Sequence, residues 1–305
     1  MNAKSTTNSN LNNWFLAIRP KTLSASISPV ILGLTIAYIE HSPLNLLIAT
    51  LTLFAALFMQ ISSNIANDYL DSLRGVDIDN RLGPLRVTQA GLIPASSMKM
   101  ALILTMSISF IIGLYLMFIG GPIIMFVGLL SLYFAYGYTG GPFPLSYNGL
   151  GEIAALFFFG IIAVTGTTFL QTHHFSKLAF IMSFGPGFIS ATILAINNLR
   201  DIESDRETKK RTIAVRFGEN FQRRLCLILI LCSSLLILLV SLLFHYVWLF
   251  PVIFLPLGFM REWLHLATKP IDKKMNHVLA KTAKYLLIYC LFASFGLLLS
   301  NGLLW

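Results

Sequence analysis

The 305-residue chain is poor in charge: 11% of its residues are Asp, Glu, Lys or Arg, against about 25% in an ordinary soluble domain. So few charges cannot coat a water-exposed surface. With 56% hydrophobic residues and a mean hydropathy of +0.74, the main solvent of the folded chain must be lipid. Cysteine is scarce as well. Cys226, Cys232 and Cys290 all lie inside apolar runs without metal-ligand spacing, and read as small buried or lipid-facing side chains. Residues 1–13 lack the basic start and short apolar core of a cleaved leader, and read as a flexible polar tail in the cytoplasm. A net charge of +9 could invite nucleic acid, but the basic residues sit between apolar runs, so no nucleic-acid partner is expected.

What the chain has in quantity is apolar runs near the roughly 20 residues a membrane span requires. Nine are predicted, at 23–39, 44–67, 98–119, 123–138, 149–170, 178–199, 221–244, 247–266 and 281–300. Pro29, Pro186 and Pro256 fall inside three of them, which membrane helices tolerate. The runs are too long and too uniformly apolar for barrel strands. The expected architecture is an all-α polytopic membrane protein, one domain over 14–305, with nine transmembrane helices around a central cavity facing the cytoplasm. Placing the N-terminus in the cytoplasm puts 21 of the 22 basic residues on that side, Lys177 excepted, and the C-terminus in the periplasm. This is the arrangement of a bacterial inner-membrane protein. Twelve of the 13 acidic residues share the same face, Glu40 being the exception. The positive-inside rule does not demand that, and it points to a polar reaction site at the cytoplasmic helix ends.

Two acidic clusters define that site. Asn64, Asn67, Asp68 and Asp71 are three and four apart at the end of the second run, which stacks them on one helical face, with Asp77 and Asp79 following. Asn198, Asp201 and Asp205 repeat the spacing at the end of the sixth. Carboxylates this close repel unless a cation compensates. Mg²⁺, a hard ion that takes one or two carboxylates plus phosphate oxygens and water, suits them. Basic residues trail each cluster, Arg74, Arg81 and Arg86 after the first and Arg206, Lys209, Lys210 and Arg211 after the second, as a bound diphosphate would require. Asp79, Glu203 and Glu207 are equally well explained as surface charges.

These strings carry a family resemblance. Asn67-Asp68-Tyr69-Leu70-Asp71, continuing through Gly75, Asp77, Arg81 and Gly83-Pro84, resembles the first motif of the UbiA-type intramembrane aromatic prenyltransferases, and Asn198-Leu199-Arg200-Asp201 with Asp205 resembles the second. Arg19-Pro20-Lys21-Thr22-Leu23, Arg81 to Arg86, Tyr138-Thr139-Gly140-Gly141-Pro142 through Glu152, and Lys210 to Arg216 are similar to one branch, the 1,4-dihydroxy-2-naphthoate polyprenyltransferases of menaquinone synthesis. The likeness runs from about residue 14 to 300. The first motif departs at Gly75, where a third Asp is common, leaving Asp77 as the nearest acid, and Phe143 stands where a polar residue is expected.

The resemblance implies a polyprenyl diphosphate and a small aromatic acid as substrates, in contact with membrane lipid. It implies Mg²⁺ held by Asp68, Asp71, Asp77, Asp201 and Asp205, and a diphosphate bound by Arg81, Arg86, Lys210 and Arg211 with Asn64, Asn67 and Asn198 nearby. Tyr138 and Tyr69 would face the allylic cation. Lys21 and Glu152 would serve the acceptor. Small residues of the fourth to sixth spans would line an opening for the prenyl tail. Three other readings remain open at this point: transfer to 4-hydroxybenzoate or to a haem or chlorophyll precursor, a membrane phosphotransferase, and a secondary transporter. The phosphotransferase would gather its Asp residues in one stretch, whereas these lie about 130 residues apart. The transporter would hold its acids near the bilayer midplane and not at helix ends.

Overall fold

The computed structural model describes residues 3–40, 43–74 and 82–302, and no strand occurs among them. The chain runs through α1 (Ala3–Ile18), α2 (Pro20–Glu40), α3 (Leu46–Leu73) and α4 (Ala95–Gly137). Next, α5 (Gly151–Leu156) passes through a π-helical turn (Phe157–Ile162) into α6 (Ala163–Thr172). Then come α7 (Lys177–Arg200), the short α8 (Ile202–Glu207) and α9 (Ile213–Phe217), and α10 (Glu219–Leu243). A 3₁₀ stretch, Val247–Phe259, leads into α11 (Met260–Thr268), and α12 (Met275–Ser300) closes the bundle.

Eight of the described helices are long and apolar enough to cross a membrane, where nine runs are predicted. The difference lies in α4, which contains both 98–119 and 123–138. A straight helix of its 43 residues would span about 65 Å, roughly twice a bilayer core. It is not straight. Gly121, beside Pro122, has φ 70° and ψ −162°, a backbone shape that only glycine adopts without strain. The two arms fold back on each other: a Cβ on Gly128 would come within 2.7 Å of Met117 Cε. Both ends of α4 therefore meet the C-terminal end of α3. Val87 and Met98 share a core with Leu70 at one end, and Arg74 Nη1 donates to Thr139 O (2.7 Å) at the other. At the opposite end of the bundle, Asn45 caps α3 and exchanges hydrogen bonds with Gln171, while Ser176 donates to Glu40 (2.7 Å).

Two further differences have local causes. The 247–266 run begins as 3₁₀ because Pro251 and Pro256 remove the donors a continuous α-helix needs. Residues 1–13, expected as a tail, are helical from Ala3, and α1 docks through buried Ala17 and half-buried Trp14 on the α3–α4 core.

At the centre stands α7, packed against α10, α12, α5 and α2. Its Gly187 allows the π turn to approach closely: a Cβ on Gly160 would meet Gly187 Cα at 2.6 Å. On its other side the largest core joins α7, α10 and α12 through fully buried Tyr285 and Tyr289. The smaller α3–α4 cores stand opposite, and between them the bundle leaves a cavity.

Candidate active site

The cavity, about 390 Å³, is walled by α2, α3, both arms of α4, α5–α6 and α7. One end is charged. Along α3 its wall runs from Asp71 down to Thr52, a rise of about 28 Å at helical pitch. Most of that depth is apolar or small-residue surface, including Gly128, Ser131 and Ala135 of α4 and Ala154, Ala155 and Gly166 of α5–α6. Those are the segments from which a tail-lining surface is expected.

The charged end brings the two clusters together. Asn64, Asn67 and Asp71 of α3 face it, with Asn197, Asn198 and Asp201 from the end of α7 and Asp205 from α8. Contact across the clusters is direct: Lys210, which follows the second, places Nζ 2.9 Å from Asp71 Oδ2 of the first, 139 residues away. Arg86 Nη2 stands 2.5 Å from the same oxygen. One fully buried carboxylate thus engages two cations beside the cavity. Tyr147 completes the cluster, its hydroxyl 3.4 Å from Asp71 Oδ1 and its ring flanked by Arg74 (4.8 Å) and Lys210 (5.2 Å). Burial, then the negative charge of Asp71, hold the Tyr147 phenol above its ordinary pKa. Tyr138, on the cavity wall just beyond α4, is raised by burial and then by Glu152, Asp205 and Asp71.

Asp201 ends α7 with φ −96° and ψ 14°, and Arg200 holds it in a bidentate pair, both N···O distances 2.7 Å. The same guanidinium reaches Asn197 Oδ1 (2.7 Å) and Asn276 Oδ1 (2.8 Å), and Asn276 Nδ2 donates to Leu82 O (2.8 Å). That chain of contacts ties the α7 terminus to α12 and to the segment leading to Arg86.

The asparagines are specialised by their partners. Asn64 Nδ2 donates to Ile18 O (2.8 Å) and Thr22 Oγ1 (3.0 Å), fixing the α1–α2 junction where Arg19 sits at φ 56° and lines the cavity. Asn67 Oδ1 accepts from the Thr139 hydroxyl, which turns its amide nitrogen to the cavity. Asn198 does the reverse. Its Nδ2 donates to Glu152 Oε1 (3.0 Å), which also accepts from Gln222 Nε2 (2.8 Å), so the Asn198 carbonyl oxygen is the atom offered to the cavity.

Several expected site residues lie elsewhere. Asp68 is 1% exposed but does not line the cavity, because three donors from Val87 and Thr88 engage its carboxylate. Tyr69 packs on the core around Val87 and Met98. Lys21 and Arg211 are exposed and off the cavity wall, and Glu152 is buried behind Asn198. Asp77 and Arg81 fall outside the described residues. In turn Arg19, Tyr147, Arg200 and Asn276 are functional neighbours that sequence reasoning passed over. Arg19 and Arg200 did leave a signal, each being an arginine that flanks an apolar run within a family-like motif.

Asp71, Asp201, Asp205 and Asn198 all offer hard oxygen donors to the charged end of the cavity, the chemistry Mg²⁺ prefers. No three carboxylates, histidines or cysteines among the described residues gather around one point. That suits an ion taking one or two protein carboxylates and completing its shell with phosphate oxygens and water.

By architecture this is an all-helical membrane bundle with a polar cavity at one end. The structure of a UbiA homolog from Archaeoglobus fulgidus bound to DMAPP and Mg²⁺ has the same fold, with a TM-score of 0.69, 14% identity, and 93% of this chain and 99% of that one covered. The model of the UbiA prenyltransferase family matches residues 26–285, and the chain belongs to that family. A 1,4-dihydroxy-2-naphthoate octaprenyltransferase from Haemophilus influenzae is 36% identical over 225 residues, 72% of this chain and 73% of that protein. The protein of the same name from Escherichia coli K12 is 34% identical over 281 residues, 90% of this chain and 84% of that one.

Proposed function

We propose that the chain transfers a polyprenyl group from polyprenyl diphosphate to 1,4-dihydroxy-2-naphthoate, releasing diphosphate and CO₂ and giving demethylmenaquinol, at the cytoplasmic face of a bacterial inner membrane. The observation that carries this reading is the meeting of two distant Asp clusters, through Lys210 and Asp71, at the charged mouth of a cavity that is otherwise apolar. The names of the bacterial relatives support the acceptor. The DMAPP and Mg²⁺ bound by the archaeal neighbour support the donor class and the metal.

One or two of the cavity-lining carboxylates Asp71, Asp201 and Asp205, with the Asn198 carbonyl, would hold Mg²⁺, which when bound offsets the charge of the diphosphate oxygens. Arg86 and Lys210 bind the leaving diphosphate as the allylic C–O bond breaks and the electron pair departs with oxygen. The Tyr138 ring faces the resulting cation. Apolar walls keep water from quenching it. The electron-rich naphthoate carbon bearing the carboxylate attacks, a C–C bond forms, and CO₂ leaves its electron pair to the ring. Arg19 on the cavity wall, in place of exposed Lys21, is the cation for the acceptor carboxylate. The acids sit at helix ends, which favours this chemistry over ion transport.

The test is an acceptor panel. Membranes containing the full chain receive Mg²⁺, a labelled prenyl diphosphate and, in turn, 1,4-dihydroxy-2-naphthoate and 4-hydroxybenzoate, scored for lipid product and CO₂. Prenylation of the naphthoate with stoichiometric CO₂ is expected. Prenylation of 4-hydroxybenzoate alone overturns the acceptor assignment.

A further inference from the structure

Among the described acids of the first cluster, Asp68 is the one the proposed reaction leaves without a task. It is 1% exposed, and all the partners of its carboxylate come from one short segment. Oδ2 accepts the Val87 N–H (3.1 Å), and Oδ1 accepts the Thr88 N–H (3.1 Å) and the Thr88 hydroxyl. Those amides open a compact turn, in which Ala90 N donates to Arg86 O (3.0 Å), Gly91 N to Thr88 O (3.1 Å) and Leu92 N to Val87 O (2.9 Å). The first amides of a helical turn have no partner within it, and Asp68 satisfies two of them from another element. Val87, fully buried in the α3–α4 core, pins the same turn from its other side. The residue immediately before this turn is Arg86, whose guanidinium reaches Asp71 at the cavity.

We propose that Asp68 is a positioning residue: by clamping the turn at Val87 and Thr88 it fixes where Arg86 presents its guanidinium to the donor diphosphate. This rests on the proposed function for the identity of that ligand. The spacing on α3 suits the division of labour. Asp71 and Asp68 are three apart, about 60° around the helix, so one carboxylate faces the cavity while its neighbour faces the loop that covers it. Charge-assisted hydrogen bonds to a buried carboxylate are among the stronger ones available, and the clamp joins α3 directly to the segment that carries Arg86.

The experiment uses the full chain in lipid nanodiscs and reads binding of a non-hydrolysable prenyl thiodiphosphate, the KM for prenyl diphosphate, and the Mg²⁺ requirement. Asp68→Ala should weaken thiodiphosphate binding and raise the donor KM by about tenfold or more, with a smaller change in kcat and an unshifted Mg²⁺ half-saturation. Arg86→Ala should do the same, and the double variant should match Arg86→Ala alone, because the clamp has nothing left to position. Asp68→Asn, which keeps one acceptor oxygen, should recover part of the loss. Amide exchange at Val87 and Thr88 should quicken in Asp68→Ala. A raised Mg²⁺ requirement with unchanged donor affinity, or losses that multiply in the double variant, overturns the proposal. If Asp68→Ala does not fold, Thr88→Val decides: a raised donor KM that disappears in the Arg86→Ala background supports the clamp, and no rise overturns it. Failure of the wild-type chain to bind the thiodiphosphate would instead sink the proposed function.

Discussion

The two acidic helix ends look alike in sequence and work differently in the structure. At the end of α7, Asp201 and Asp205 both face the cavity, and Asp201 is backed by a buried guanidinium from its own neighbour, Arg200. At the end of α3, among the described acids, only Asp71 faces it, and its partners Arg86 and Lys210 come from two separate loops. Asp68 looks away to the loop that carries one of those partners. The second cluster is therefore a preassembled unit, whereas the first is assembled by the fold. Spacing tells which residues share a helix face, but not which element will cover it.

The sharpest way to break this comparison is to remove one carboxylate from each cluster. Asp71→Ala and Asp201→Ala should each lower single-turnover prenyl transfer by about 10²–10³-fold or more, measured with saturating donor. Their stabilities should differ. Asp201→Ala strands Arg200 without its bidentate partner in a site where the two side chains are 2% and 5% exposed, a cost of about 3–5 kcal/mol. Asp71→Ala leaves two cations next to a cavity that can hydrate them, so it should melt closer to the wild type. Equal losses of thermal stability would remove the distinction between a preassembled and a fold-assembled cluster.

A smaller effect separates the two basic residues flanking Pro20. Arg19→Ala should raise the acceptor KM by about tenfold, the usual scale for losing a hydrogen bond to a charged group. Lys21→Ala, on an exposed side chain, should stay within about 0.5 kcal/mol of wild type. The reverse order would return the acceptor carboxylate to Lys21.

The smallest effect concerns the phenols. Burial raises both Tyr138 and Tyr147 above their ordinary pKa of 10.0, which means that folding favours the neutral form. Their contribution to stability is then present below pH 10 and fades as pH rises through the folded-state values. The pH–rate profile should show no alkaline limb from either group below about pH 10. Tyr147→Phe keeps the ring between Arg74 and Lys210 and should cost only a few-fold in rate. An alkaline limb near pH 8 that vanishes in Tyr147→Phe would show the phenol ionising during turnover.

Much of this was legible before the fold. Long apolar runs at low charge density admit only helices in lipid, and the all-helical bundle follows. One-sided charge pointed to a site at one end, and the Asp spacing picked out Asp71, Asp201 and Asp205, which line one cavity. The bend of α4 was half visible, since Gly121-Pro122 interrupts a long run, yet whether the backbone hydrogen bonding stops there or carries on through depends on packing such as that of Gly128 on Met117.

From sequence alone came the solvent, the helical class of the fold and the chemical character of the site, because each depends on composition or on spacing within one helix. The tertiary structure alone decided which acid lines the cavity and which faces a loop. Asp68 and Asp71, and Tyr69 and Tyr138, are paired candidates of the same residue type, Arg19 stands on the cavity wall where Lys21 was the candidate, and what distinguishes each pair is the element that arrives opposite. A side chain's electrostatics and hydrogen bonds are set by partners brought from far along the chain, and no local spacing encodes those.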